Sequence, residues 1–508
     1  MRRSFGAVLM AAVLGSFGCA EPVPCWYGAL DYREGGVVED PEQLEDFAGS
    51  CVVVLGSLTV RGGRIRELDG LEGVIGIHGS LRLKAEALTS TEGLSGLEYV
   101  ERGVEVSGSA SLEHLDFPKL QSIGGDLRLH ELPRLYDLTG LEALADVGGM
   151  MVLQQLDAIA TMTLPEVRAV GGGLVIAGNA QLEAVVEPDA LVEIGHTLWI
   201  TANPRLRSVA GFDALDRVGR FIKISENRRR SPLDTGKYEL DPVPAPPPGT
   251  VNRIYVENND RLSSVRGFSG LETLVPLPEI PTVLFVISNN QALTDLDAFS
   301  SLETAAAPQA GAPRARVWVY VTENPELRSL SGLPTVYAEA WIASELQIHD
   351  NPSLEDASAV STSSFTTVEL YDNPSLTSFE GLRLERLERL TIVNNDALVN
   401  LEGVSVRSAH SNGAMLYIAD NDALTDIRTL LNAPQRGVLA LTALDNRSLP
   451  QALASWVALA TGAEYTKVAG NAGWVIADPC PFVEDGRCDE RGPWPYCVAG
   501  TDEVDCAE

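Results

Sequence analysis

Positive charge is scarce in this 508-residue sequence. Its 38 Lys and Arg residues face 70 Asp and Glu residues, which gives a formal net charge of −32 at pH 7. Proteins that bind nucleic acid present a basic surface to the phosphates. We therefore expect no nucleic-acid partner. The net charge says little about the fold.

Long apolar runs are equally scarce. After the first residues, no stretch approaches the about 20 consecutive apolar residues of a membrane-spanning helix. Residues 1–18 are the exception, because Arg2 and Arg3 precede a short apolar run from Phe5 to Phe17. This arrangement is typical of a secretion signal peptide, which is too short to span a bilayer. We therefore expect an exported protein without a membrane helix of its own.

The signal peptide ends in Ser16-Phe17-Gly18-Cys19. This segment resembles the lipobox of bacterial lipoproteins, although that family prefers leucine where Ser16 stands. The resemblance implies that Cys19 is acylated and becomes the mature N-terminus, and Ala20 after it implies sorting to the cell outer membrane. The membrane would then be contacted through a lipid anchor only. The alternative is an ordinary signal peptide with an incidental cysteine.

Cysteine is rare and its number is odd, with seven residues in the chain. If Cys19 carries lipid, six remain for disulfides, which form in oxidising compartments. Cys25 and Cys51 would close a loop in an N-terminal segment of residues 19–55, which holds the lipid attachment and a cap. The other four would form two bridges in a C-terminal module of residues 476–508: Cys480, Cys488, Cys497 and Cys506.

What the sequence has in abundance is a repeat of the form apolar-x-apolar-x-x-Asn-x-x-Leu. It is clear from Leu198 to Leu206 and again from Val368 to Leu376. Each copy supplies a short strand whose two apolar side chains point to one face, and only the stacking of copies buries that face. Residues 56–475 therefore predict an all-β solenoid of about 16–17 coils.

The two ends of such a stack need covering, because an open end exposes backbone hydrogen-bonding groups. At the N-terminus the cap within residues 19–55 has this role. Near the other end, the sequence from Ser448 to Gly462 predicts a capping helix. Ser448 would be its N-cap, Pro450 would lie in its first turn, and Gly462 would end it.

A second signature, an apolar residue followed by Gly-Gly, precedes several of the strands. It occurs at Ile123-Gly124-Gly125, Val147-Gly148-Gly149 and Val170-Gly171-Gly172. The pattern resembles the receptor L domain, a solenoid of leucine-rich-repeat type, and the repeats of fungal and bacterial surface proteins. The resemblance covers residues 50–475 and implies a right-handed β-solenoid. It names no ligand, and the array is longer than an L domain and lacks the cysteine-rich region between paired L domains.

Two polar positions recur in the repeat. The Asn is predicted to be structural, because a buried amide can bond backbone groups that would otherwise be unpaired at a turn. Adjacent strands lie about 4.8 Å apart, so carboxylates stacked before the Asn repel one another unless they are hydrated or bridged by a cation. Both interpretations, a hydrated rim and a calcium row, remain open for Glu226, Asn258, Asn289, Glu323, Asp350, Asp372, Asn394, Asp420 and Asp445.

The residue between the two inward apolar positions faces outward, and aromatic side chains with polar tips recur there and in the next outward column. Such residues suit contact with a protein or a glycan. Five of them are our candidate ligand-binding residues: Trp199, Tyr255, Tyr320, Tyr371 and Tyr417. The alternative is that they serve only β-propensity and packing between neighbouring strands.

The repeat is interrupted by three insertions, at residues 228–250, 275–281 and 304–314. Insertions on one face of a solenoid often form its binding edge. Tolerated growth of surface loops is the alternative, since longer loops cost little additional entropy.

The C-terminal module contains Asp485-Gly486-x-Cys488-Asp489 and Asp502-x-x-Asp505-Cys506. These segments resemble the Lin-12/Notch-type calcium module, with four cysteines where that family has six. The resemblance implies that Ca²⁺ is the one cofactor, bound by the oxygen ligands of Asp485, Asp489, Asp502 and Asp505. A metal-free disulfide knot is the alternative.

Catalytic motifs are absent from the sequence. The six histidines are scattered, no glycine loop follows a strand into a helix, and the outward positions carry no repeated acid pair. We therefore predict a non-catalytic cell-envelope protein that binds an envelope or extracellular protein or glycan through its sheet face or its insertion edge. The alternatives are a structural envelope spacer and a polysaccharide-acting β-helix enzyme, whose acid cluster would lie beside residues 226–314.

Overall fold

The fold is that of a computed structural model, which describes residues 30–164, 166–186, 188–229, 249–277, 281–304, 316–336, 343–359, 364–378, 382–402, 404–406, 409–410, 413–432 and 437–472. Over these residues the chain forms a parallel β-solenoid of about 16 turns, here called coils, with little helix. The prediction of a β-solenoid built from the repeat is therefore confirmed.

The first side of the coils carries the longest strands. Each strand pairs in parallel with the strand of the neighbouring coil. In chain order these strands are Val52–Arg61, Leu81–Lys84, Val104–Ser107, Leu127–His130, Met151–Gln154, Leu174–Ala177, Thr197–Thr201, Phe221–Ser225, Arg253–Asn259, Thr282–Asn290, Arg316–Thr322, Ala343–His349, Ser364–Tyr371, Arg383–Val393, Ala414–Ala419, Val438–Leu444 and Tyr465–Ala469.

The other two sides carry shorter strands. Those of the second side are Val74–Ile77, Tyr99–Val100, Ser122–Ile123, Asp146–Val147, Ala169–Val170, Glu193–Ile194, Arg217–Val218, Thr250–Val251, Thr273–Leu274, Glu303–Thr304 and Ser405–Val406. The third side is a four-stranded sheet of Thr161–Thr163, Ala184–Val186, Ser208–Val209 and Ser264–Val265. Short 3-10 helices occupy Pro41–Phe47, Glu92–Leu94, Thr139–Leu141, Asp297–Phe299 and Arg428–Asn432.

The two apolar residues of each strand point into the coil, as the repeat predicts. In one regular coil Leu198 and Ile200 are fully buried, and so is Leu206 at the end of the same repeat. These side chains belong to one continuous core that runs from Val38 to Ala458. Because each coil buries its side chains against the next, stacking rather than any single coil supplies the hydrophobic stabilisation.

A file of buried asparagines runs along the inside of the coils, and we call it the asparagine ladder. From Asn179 to Asn446, each Nδ2 donates to the Oδ1 of the asparagine in the next coil, over 2.7–3.4 Å. The same Nδ2 donates to the backbone oxygen of the preceding coil, as Asn203 does to Ile176 at 3.0 Å. The structural role predicted for the repeat asparagines is thus confirmed for Asn179, Asn203, Asn227, Asn259, Asn290, Asn324, Asn351, Asn373, Asn395, Asn421 and Asn446. Asn471, which accepts from Asn446, ends the ladder.

The Gly-Gly signature marks a close approach between coils. A Cβ atom added to Gly148 would clash with the carbonyl oxygen of Gly124, and one added to Gly219 would clash with the carbonyl oxygen of Gly195. A side chain at either position would push the coils apart. Stacking therefore explains these glycines, and they need no bound phosphate to account for them.

The capping helix forms, but it starts later than predicted. It spans Gln451–Ala460, and its N-cap is Pro450 rather than Ser448. Leu449 explains the difference, because it is the leucine of the last repeat, is fully buried, and bonds the Asn446 carbonyl through its N–H at 3.0 Å. The turn of the repeat thus extends through Ser448, and the helix begins only after it. No helix in the described part of the chain has the length and apolarity needed to cross a membrane.

Among the described residues, the four-stranded sheet of the third side skips one coil. The first-side strand of that coil pairs with both neighbours. On the third side, however, Ser208–Val209 pairs directly with Ser264–Val265, which belong to the coil after next. Phe212 stacks on Phe268 across the same junction, with ring centroids 5.2 Å apart. The coil that holds the 228–250 insertion therefore contributes two sides to the described solenoid.

At the N-terminal end the sheet begins inside the segment assigned to the cap. The strand Asp31–Val38 pairs in parallel with Val52–Arg61, and Phe47 of the 3-10 helix between them is buried. No disulfide has both of its cysteines among the described residues, although Cys51 is itself disulfide-bonded. The pairing of Cys51 with Cys25 stays a prediction, since Cys25 lies outside the described residues.

The asparagine ladder leads to a stability prediction. The substitution Asn290→Asp removes a donor that reaches the carbonyl of Val256 at 2.8 Å and Oδ1 of Asn324 at 2.9 Å. It also buries a carboxylate among hydrogen-bond acceptors. We expect it to lower the free energy of unfolding by roughly 3–5 kcal/mol, as an uncompensated buried charge does. Urea unfolding followed by circular dichroism measures the change.

The matched control is Asn289→Asp, one residue earlier on the partly exposed rim. There the loss of one bond to Asn258 should cost about 1 kcal/mol or less. Equal effects of the two substitutions would show that the ladder does not hold the coils together.

Candidate functional site

The outward side chains of the first side line up in columns, because paired strands keep the same register. We call the column between the two inward apolar residues the middle column. Tyr371 lies in the neighbouring column, opposite His349. The middle column contains, in order, Val175, Trp199, Lys223, Tyr255, Val286, Tyr320, Gln347, Glu369, Thr391 and Tyr417.

The structure divides the candidate aromatic residues into separate groups. Trp199 and Tyr255 flank Lys223, whose Nζ lies 6.0 Å and 5.7 Å from the two ring centroids. Tyr320 lies two strands beyond Tyr255. Tyr417, which is 41% exposed, lies farther along the sheet. The five residues therefore share one face without forming a continuous aromatic stripe.

Trp199 lies at the end of a small apolar cluster on the outward face. Met150, Val152, Val175 and Ala177 are at most 7% exposed, and the Trp199 side chain packs against them. Part of the Trp199 ring therefore packs between strands. For this residue, the contact supports the alternative that the outward aromatic residues serve packing rather than ligand binding.

A cleft of about 310 Å³ opens beside Lys223, between the strands Phe221–Ser225 and Arg253–Asn259. Three cations meet there, in a protein whose net charge is −32. We call this site the basic cleft, and its lining residues are Arg220, Phe221, Lys223, Asn252, Arg253 and Tyr255.

Local contacts hold the lining of the basic cleft in place. Arg253 donates through Nη1 to the Tyr255 hydroxyl at 3.3 Å and through Nε to the carbonyl of Thr282 at 3.3 Å. Of the described carboxylates, Glu257 alone forms an ion pair with a lining cation, at 3.6 Å from Lys223 Nζ. The cleft is therefore preorganised and keeps an excess of positive charge.

Farther along, the outward face carries two carboxylates that share one amide. Gln347 Nε2 donates to Glu345 Oε1 at 2.6 Å and to Glu369 Oε2 at 3.2 Å. Arg389 Nη1 lies 3.3 Å from Glu369 Oε1. The four side chains thus form a mixed-charge group on three adjacent strands, and Glu345 is the carboxylate that no described cation contacts in an ion pair.

This environment shifts the pKa of two neighbouring groups. Burial raises the pKa of the Glu345 carboxyl, the hydrogen bond from Gln347 lowers it, and the charge of Glu369 raises it again, for a net rise. Burial also raises the pKa of the Tyr320 hydroxyl to about 12, with help from the charges of Glu345 and Glu369. The Trp318 ring stacks on Tyr320 at 6.2 Å between centroids. Tyr320 therefore stays a hydrogen-bond donor at physiological pH.

The row of residues before the ladder asparagines has a backbone explanation. All nine adopt a left-handed conformation, with φ between +52° and +60°. Aspartate and asparagine tolerate this conformation better than most other residues. Amides also bridge the carboxylates, as Asn394 Nδ2 does to Asp372 at 2.5 Å. Within the described ranges no group of three or more His, Cys, Asp or Glu side chains is placed so that it could hold a metal ion.

Several predicted sites lie outside the described residues and stay predictions. Most of the insertions 228–250 and 304–314 is among them, and so are residues 278–280 of the insertion 275–281. So are the lipidation residue Cys19, the cysteines Cys25, Cys480, Cys488, Cys497 and Cys506, and the calcium ligands Asp485, Asp489, Asp502 and Asp505.

Sequence reasoning missed part of both groups on the outward face. Two of the missed residues, Arg220 and Asn252, lie just before strands, where no position of the repeat marks them. The others could have been found by reading the outward column two residues before the middle one: Phe221, Arg253, Trp318, Glu345 and Arg389.

Comparisons with protein-family models, with curated proteins and with solved structures found no match. The outward face itself is therefore the basis of the functional proposal.

The backbone explanation of the rim predicts the effect of two substitutions at Asp420, where φ is +54°. Asp420→Gly should leave the free energy of unfolding within about 1 kcal/mol of the native value, since glycine accepts this conformation. Asp420→Val should lower it by about 1–3 kcal/mol, since a β-branched residue is strained there. Thermal unfolding with and without Ca²⁺ measures both. A calcium-dependent Tm that Asp420→Gly abolishes would instead establish a calcium row.

The raised pKa of Glu345 predicts a pH-dependent stability. The folded state disfavours the ionised form of Glu345. The resulting loss of folding stability is therefore absent below the pKa of the unfolded state and complete above the pKa of the folded state. Glu345→Gln keeps an acceptor for Gln347 and should raise Tm at about pH 8 but not at about pH 3.5. Calorimetry at the two pH values measures the difference, and an equal rise at both would contradict the assigned cause.

Proposed function

We propose that this protein is a non-catalytic recognition protein of the cell envelope, which binds a protein or glycan through the outward face of its first side. The basic cleft is the observation that carries the proposal, because cations, aromatic rings and an amide converge there in a preformed cavity. Binding sites combine these features, with a few polar groups that fix the orientation of the ligand.

The aromatic residues beyond the cleft support the same proposal. Trp318 and Tyr320 are stacked and partly exposed, and Tyr417 is 41% exposed. Tryptophan and tyrosine are enriched among residues that dominate binding energy. Because the ladder fixes the columns, a ligand would meet groups that are already ordered, which reduces the entropic cost of association.

The cellular setting and the finer assignment of the solenoid are part of this proposal. We place the protein outside the cytoplasm, lipidated at Cys19 and attached to the cell outer membrane, with its partner in the envelope or beyond it. The solenoid would be a right-handed member of the receptor L-domain or leucine-rich-repeat type. Residues 476–508 would form a Lin-12/Notch-type module that binds Ca²⁺. Sequence motifs support each of these points.

One observation favours a second function, a polysaccharide-acting enzyme. Glu345 and Glu369 share the Gln347 amide, burial raises the pKa of Glu345, and Arg389 lies beside Glu369. Two carboxylates in unlike environments are what glycoside hydrolases use as acid and as nucleophile or base. The basic cleft lies away from this pair of carboxylates. Because the cleft favours binding, recognition remains our first proposal.

The test is binding of the purified chain to a glycan array and to envelope extracts, with and without Ca²⁺. We expect a specific ligand whose affinity falls at least about tenfold in the double variant Tyr255→Ala/Tyr320→Ala, since tyrosines at a contact contribute strongly. The control is Tyr136→Ala, which removes a tyrosine that is 45% exposed outside the first-side strands and should leave binding intact.

Each other outcome selects an alternative. A ligand that binds the double variant normally would move the site to the insertion edge, and the absence of any ligand would favour the structural spacer. Reducing ends released from a polysaccharide by the native chain, and not by Glu345→Gln, would establish the enzyme.

A further inference from the structure

The basic cleft is an isolated concentration of positive charge. Arg220, Lys223 and Arg253 line it within two adjacent coils, and only Lys223 has a described carboxylate, Glu257, as an ion-pair partner. On a surface that is otherwise acidic, such a concavity focuses positive potential and attracts anions. The ligand of this cleft should therefore carry negative charge.

Two buried polar atoms of the lining lack a hydrogen-bond partner within the described structure. Asn252 is 1% exposed, and its Nδ2 donates to the carbonyl of Val275 at 2.7 Å while its Oδ1 is unpaired. The Nε of Arg220 is buried and unpaired as well. Leaving such groups unsatisfied is costly, so a ligand gains affinity if the two side chains turn toward the cleft and pair with it. That ligand needs a donor for Asn252 and an acceptor for Arg220.

The two aromatic rings of the lining add an apolar wall. Phe221 meets Tyr255 edge to face, with ring centroids 6.2 Å apart. The cavity of about 310 Å³ is at the lower end of the range for ligand pockets, about 300–1,000 Å³. A small unit with a charged group, hydroxyl donors and an apolar face would fit these requirements.

We infer that the basic cleft binds one acidic sugar unit of an anionic polysaccharide, with a carboxylate facing Lys223 and Arg253 and a hydroxyl donating to Asn252. This inference rests on the proposed recognition function and names its ligand class. A sugar acid supplies the anion, the hydroxyl donors and the apolar ring face within a single unit. An acidic peptide could donate to the Asn252 oxygen only through its backbone N–H groups, and its carboxylate side chains offer no apolar ring face to Phe221 and Tyr255.

The experiment is isothermal titration calorimetry of the full chain with trigalacturonate. The comparison ligands are its fully methyl-esterified form, which keeps the shape and removes the charge, and triglutamate. We expect trigalacturonate to bind with an affinity that falls as salt rises, and the ester and triglutamate to bind at least about tenfold more weakly.

The variants Lys223→Gln and Arg253→Gln should each weaken trigalacturonate binding about tenfold, because each removes a charged hydrogen-bond donor. The control is Arg266→Gln, which makes the same change of charge directly after the third-side strand Ser264–Val265 and should leave binding unchanged. Thermal unfolding of each variant confirms that it is folded.

Several results would overturn the inference. They are equal binding of the acid and its methyl ester, equal loss in Arg266→Gln and in Lys223→Gln, or tighter binding of triglutamate, which would assign the cleft to an acidic peptide. The recognition function would survive if trigalacturonate fails to bind while the array finds another ligand that depends on Tyr255 and Tyr320. Failure of both experiments would overturn both proposals.

Discussion

The asparagine ladder is the interaction on which the rest of this structure depends. Backbone groups at the inner turn of each coil have no access to water, so each needs a partner from the protein itself. From Asn179 to Asn446, one carboxamide per coil meets this need by bonding the backbone of the preceding coil and the amide of the next, and Asn471 ends the ladder. Because these bonds are short, each coil of the ladder is held in the same register as its neighbours.

The columns of the outward face follow from that register. A shift of one residue would exchange inward and outward side chains, so the ladder and the apolar pairs specify one arrangement together. The same stacking accounts for most of the other recurring residues, including the left-handed Asp and Asn of the rim and the glycines at the close approach between coils. Among the recurring positions, the outward columns are therefore the ones that stacking leaves open for function. Lys223, Tyr255 and Tyr320 occupy such positions.

The sequence predicts best what it repeats. The inward apolar pairs, the ladder and the order of the middle column could all be read from spacing, because every coil obeys the same geometry. Features that occur only once in the chain could not be read from spacing. The sequence does not predict the direct pairing of Ser208–Val209 with Ser264–Val265, because spacing gives the length of chain between two strands and not its path. The helix N-cap was misplaced for a related reason: Ser448 has the right chemistry, but the buried Leu449 keeps it in the repeat.

The basic cleft is also a feature that occurs only once in the solenoid. Arg220 precedes the first-side strand of the coil that the third-side sheet skips, and Asn252 precedes the first-side strand of the next coil. No periodic position identifies either residue. A crystal structure of the chain soaked with trigalacturonate tests the account most directly. We predict density for a sugar acid in the cleft, with its carboxylate about 2.7–3.2 Å from Lys223 or Arg253. Density at another place on the solenoid, with the cleft empty, would contradict the account.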